Sequence, residues 1–170
     1  MGQAEDTPPS RRTTRGFARR TRRNLKLARQ SFEIRGDFHV VTQLVNSLLG
    51  IVVVPWQCQK QEGEKDFESD IPMDLFKKGW PHWTFTGAEK ERESQTLADL
   101  VGNLRIAAAH GHYDFSGASD CRLLNKVTIQ VGIGPLGNSP WSYEIRGDKL
   151  YEFCINLSKF IEASQFESTT

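Results

Sequence analysis

Residues 103–115 read NLRIAAAHGHYDF. Three alanines following Leu104 and Ile106 favour a helix, and Gly111 is the residue type that ends one in a left-handed conformation. The stretch therefore predicts a helix end followed by a turn. A helix that only fills a core needs neither Arg105 at the start of its alanine run nor His110 at the end. Working back, Leu97, Leu100, Val101, Leu104 and Ala108 recur at three- and four-residue spacing, which predicts a helix opening near Ser94 and reaching Gly111.

Outward from this helix the same spacing recurs. Leu25, Ala28 and Phe32, joined by Leu27 and Ile34, predict a first helix from about Phe17 to Gly36, with Gly36 as its C-cap and Asp37 as the N-cap of the next. That second helix, over 38–53, offers Val41, Leu44, Val45, Leu48 and Val52 as a face broad enough for a central position, and Pro55 is expected to end it. Residues 56–92 are polar and irregular, with a short helical possibility at 73–78 and the aromatic cluster GWPHWTF at 79–85. Those rings are expected to anchor the segment onto the helices, and base stacking is the alternative.

Beyond the turn, Val127, Ile129, Val131 and Ile133 alternate with polar or small residues at the period of a half-buried strand. The glycine-rich run at 132–138 lacks the Lys-Ser/Thr and the following helix of a phosphate loop, so it reads as the connection to a second strand over 142–146. Asp148 then caps a last helix with Leu150, Phe153, Cys154, Leu157, Phe160 and Ile161 on one side. The expected fold class is mainly α: an antiparallel four-helix bundle with a small β-hairpin before the last helix. One helical domain is expected over 17–165, between a disordered basic leader at 1–16 and a disordered tail at 166–170.

With 170 residues the chain is long enough to bury a core without disulfides. Its three cysteines, Cys58, Cys121 and Cys154, form no C-x-x-C pair, which argues against a zinc ribbon and for a reducing, cytoplasmic setting. No apolar run is long enough to span a membrane, and no apolar leader marks a secretory signal. The net charge of +1 hides an asymmetry: 11–35 carries nine arginines and Lys26 against Glu33 alone, whereas 36–170 carries twelve basic and eighteen acidic residues. A cationic arm of this kind suits nucleic-acid phosphates, acidic proteins or anionic surfaces.

Arg105 and His110 form a candidate metal-free phosphodiester-cleaving set. Histidine serves as base or acid near neutrality, and arginine supplies a fixed planar cation for phosphate oxygens. A helix C-terminus favours the imidazolium form, which suits the acid role. Five residues of ideal helix turn through about 500°, which leaves the two side chains about 140° apart. Pairing two copies of the helix across a two-fold axis is the simpler way to gather the groups.

RIAAAH at 105–110 resembles the R-x4-6-H motif of the HEPN superfamily, and the following Gly111, His112 and Tyr113 resemble its A-H-G-H type, seen in plasmid and defence-associated members. The resemblance implies a dimerising helical bundle, Arg105 and His110 of both protomers in one cleft, and a metal-independent endoribonuclease without cofactor. It also implies RNA as substrate and, for a toxin or anti-phage effector, an antitoxin or defence-system partner protein. His112, Asn103 and Tyr113, with Arg19, Arg22 and Arg23 of the arm, are the expected RNA-binding residues. The sequence departs from the motif at Ile106, where active members place Asn, Asp or His; Asn103 and Asp99 are the polar residues near enough in sequence to replace it. A catalytically inactive HEPN-like module that binds RNA, nucleotide or protein is the alternative. A third reading takes His110, His112 and Asp114 as a metal site resembling the H-x-H-x-D run of metallo-β-lactamase-type hydrolases, with His82 as a further ligand and Phe115 where that family has a histidine.

Overall fold

A computed structural model describes residues 11–35, 40–62, 79–87, 97–117, 127–132 and 141–163. The described residues form the helices α1 (Arg11–Arg35), α2 (Val40–Glu62), α3 (Leu97–His110) and α4 (Gly147–Ala163). They also form the strands β1 (Thr84–Gly87), β2 (Tyr113–Gly117), β3 (Val127–Gly132) and β4 (Trp141–Arg146). The chain is mainly helical, as its periodicity predicts. The expected caps Gly36, Asp37 and Ser94, the short helix at 73–78 and the glycine-rich run after Gly132 lie outside the described residues.

The second helix takes the central place its apolar face predicts. Leu44, Val45, Leu48, Ile51 and Val52 are buried, and α2 packs against α1, α3 and α4. It does not end at Pro55 but continues to Glu62. Proline removes one backbone hydrogen bond and crowds the preceding turn, at about 3 kcal/mol or more; the buried run ahead of it holds the helix through that loss. At Gly50 the Phe17 ring of α1 comes so close that a Cβ there would stand 2.7 Å from its Cζ.

Helix α1 begins at Arg11, ahead of the apolar periodicity that starts at Phe17. Its inward face is Ala18, Leu25 and Ala28. Leu27 and Ile34, expected on that face, lie about 200° and 180° around the helix from Leu25 and are 59% and 81% exposed. Arg19 and Arg22 both reach Glu162 of α4, at 2.7 and 2.6 Å, and Arg29 sits 5.0 Å over the Tyr151 ring. Rising numbers in α1 thus meet falling numbers in α4, so the two helices run antiparallel.

The hairpin expected before the last helix is present as β3 and β4, but it is the middle of a four-stranded antiparallel sheet of order β1-β4-β3-β2. Phe85, Tyr143, Val131 and Tyr113 stand opposite one another across all four strands and therefore lie on one face of the sheet. That face packs inward: Tyr143 and Ile145 are buried, the Phe85 and Tyr143 rings lie 5.4 Å apart, and α3 and α4 pack on β3 and β4. Thr84, Glu144 and Asp114 belong to the opposite, exposed face. Trp80 and Trp83 meet Phe153 of α4 edge-on at 5.9 and 5.6 Å, the anchoring role expected of them. No described helix is long and apolar enough to cross a membrane.

Candidate active site at the end of α3

The core fixes how α3 sits. Leu100, Val101, Leu104 and Ala107 are buried, so the polar side chains fall on the flanks of that face. Asn103, Ile106 and His110 fall within about 60° of one another on one flank, and Arg105 falls on the other. The alanine run ends in a closed cap: the Gly111 N–H donates to the Ala108 carbonyl at 3.3 Å and the His112 N–H to the Ala107 carbonyl at 2.9 Å. Gly111 adopts φ +68° between them. This paired arrangement is the Schellman motif, which needs a left-handed residue and so selects glycine. His110 is consequently the last residue of a regular helix, with no distorted turn to bring it round towards Arg105.

His110 is exposed, and the ring of half-buried His112 stacks on it with centroids 5.6 Å apart and planes 22° from parallel. Among the described residues no hydrogen bond or ion pair holds the His110 ring. Arg105 is half-buried, with its Nε enclosed by protein. Tyr113, the first residue of β2, is 37% exposed. The Asn103 side-chain amide donates to the buried Tyr143 hydroxyl at 3.3 Å, which ties α3 to the sheet. Ile106 is half-buried on the His110 flank, and the Asp99 side chain lies outside the described residues.

The sheet separates the groups of the metal reading. His82 is exposed immediately before β1, at one edge, while His112 and Asp114 lie at β2, on the other. Three strand spacings put the two edges about 14 Å apart, beyond the reach of one ion's ligands. Among the described residues no three His, Cys, Asp or Glu side chains converge.

The arm is likewise more structural than its charge suggested. Arg19 and Arg22 clamp Glu162 and hold its carboxyl below the usual range, chiefly through the hydrogen bond from Arg19. Arg23 remains on the exposed surface of α1. Cys154 is fully buried, and burial pushes its thiol up, so it is an inert core residue.

An exposed histidine on a capped helix end, supported by a sheet inside a mainly helical chain, defines a helical domain that presents polar chemistry from one helix terminus. A family model described as HEPN pEK499 p136 matches residues 1–168, and the chain belongs to this HEPN family. HEPN domains are commonly nucleases or RNA-binding modules. No curated protein and no solved structure matches the chain.

Proposed function

We propose that the protein is a metal-independent endoribonuclease whose helices form an antiparallel four-helix HEPN bundle and whose active site assembles when two α3 helices meet across a two-fold axis. The observation that carries this reading is the exposure of His110 on the rigid end of α3, with Arg105 held on the other flank of the same helix. One chain separates the acid–base group from the phosphate-binding cation; two chains restore the pairing. In the assembled cleft one His110 takes the proton of the RNA 2′-hydroxyl, whose oxygen attacks the adjacent phosphorus. The other His110 protonates the departing 5′ oxygen, and the two Arg105 guanidinium groups neutralise the phosphorane between them. The products are a 2′,3′-cyclic phosphate and a 5′-hydroxyl. His112, stacked on His110, and the partly exposed Tyr113 that follows it supply rings against which an unpaired base can stack. A toxin or anti-phage role, with an antitoxin or defence-system partner and a cytoplasmic location, fits such an enzyme.

The alternative is an inactive HEPN-like module that binds RNA, nucleotide or protein, and Ile106 favours it. An isoleucine beside His110 donates nothing to a phosphate, and the nearby Asn103 amide is engaged with Tyr143. Incubating purified protein with a mixed RNA pool in excess EDTA separates the readings. Cleavage to 2′,3′-cyclic ends that His110→Ala and Arg105→Ala both abolish is the expected result. Absence of cleavage by a folded dimer would leave the binding module.

A further inference from the structure

The outward face of α1 is an incomplete seam. Arg20, Leu27 and Ile34 follow one another at seven-residue intervals, so they lie along one line of the helix with a drift of about 20° per step, over about 21 Å. Leu27 and Ile34 are the two most exposed large aliphatic side chains among the described residues, at 59% and 81%. Arg20 heads the line, and Arg23 and Lys26 lie about 40° and 100° to one side of Leu27; all three are exposed, and no ion pair engages any of them among the described residues. The neighbouring acid, Glu33, is already paired with Arg29 at 3.1 Å. The fold accounts for none of these side chains, because the packing face of α1 is Ala18, Leu25 and Ala28 on the other side.

We infer that this face docks an acidic amphipathic helix of another protein, with that helix's aliphatic residues against Leu27 and Ile34 and its carboxylates on Arg20, Arg23 and Lys26. The pairing follows the logic of a two-stranded coiled coil, in which a seven-residue apolar line is flanked by complementary charges. The same face of a second copy fits poorly: in parallel register Arg20, Arg23 and Lys26 would meet their own kind, and in antiparallel register centred on Leu27 each Arg20 would lie against the other copy's aliphatic Ile34. A phosphate backbone has no use for two aliphatic side chains in the middle of its track. A membrane surface requires a continuous apolar face, and the one α1 possesses is turned into the core.

The probe is a 21-residue helical peptide with leucine at heptad positions and glutamate on both flanks, titrated into the full chain and followed by fluorescence anisotropy. Leu27→Ser/Ile34→Ser and Arg20→Glu/Arg23→Glu proteins are run alongside, with circular dichroism and thermal unfolding to show that these surface changes leave the fold intact. Micromolar binding by the wild type, at least tenfold weaker in each double variant and absent for a lysine-flanked peptide, is the expected result. Binding that survives Leu27→Ser/Ile34→Ser unchanged would reduce the face to a non-specific charge patch and overturn the inference. So would failure of the peptide to bind while a single-stranded RNA 20-mer, or vesicles rich in phosphatidylserine, bind through the same residues. None of these readouts depends on RNA cleavage, so the inference stands or falls separately from the nuclease reading.

Discussion

Gly111→Ala tests the geometry on which the site depends. Gly111 stands at φ +68° with no atom within 4 Å of where a Cβ would be placed, so the substitution meets no steric obstacle and its cost is torsional. A residue with a Cβ loses about 1–2 kcal/mol in the left-handed region. The stiffer unfolded chain returns about 0.4–1 kcal/mol. The net loss is about 1 kcal/mol, which in a chain of this size lowers the melting temperature by about 2–4 °C. Asparagine tolerates the left-handed conformation, so Gly111→Asn should recover most of that loss. Urea and thermal unfolding of the three proteins, monitored by circular dichroism, give the comparison directly. An alanine variant as stable as the parent, or an asparagine variant no better than alanine, would refute the closed cap and with it the fixed position of His110.

Two further predictions concern the helices behind the site. The Glu162 carboxyl is held below its ordinary value of 4.5. Its contribution is therefore present above that pH and lost as pH falls through the lower folded value; Glu162→Gln should cost about 1 kcal/mol at pH 7, and unfolding curves of the two proteins should converge in acid. At Gly50, alanine gains about 1 kcal/mol of helix propensity but drives a methyl to 2.7 Å from the Phe17 ring, at an overpacking cost of about 1–3 kcal/mol. Gly50→Ala should destabilise the wild type yet stabilise a Phe17→Leu background; equal effects in both backgrounds would show that the two residues are not in contact.

Local chemistry made much of this legible in the sequence. The Gly111 cap, the central face of α2 and the amphipathic α4 are written at three- and four-residue spacing, and the alternation from Val127 marks β3. What escaped depends on partners far along the chain. Thr84–Gly87 and Tyr113–Gly117 are too short to announce themselves, and they are strands because β4 and β3 offer them hydrogen bonds. Leu27 and Ile34 look like core residues until the angle of the buried face is set by α2 and α4. Arg105 and His110 are proposed for catalysis on their residue types and their place on α3, which suit the chemistry. The tie between Asn103 and Tyr143 could not be foreseen, because its two ends lie 40 residues apart.

The contact between α1 and α4 joins the first and last helices described, with the Arg19–Glu162 pair spanning 143 residues. On the ribosome α1 has no α4 to cover its inner face until the two helices and four strands between them have been made. Contacts of such long range are formed late and slowly, and surface left open in the meantime invites misassembly. Completion of the fold therefore waits on release of the last helix, and α3, already synthesised by then, gains its finished surroundings only afterwards.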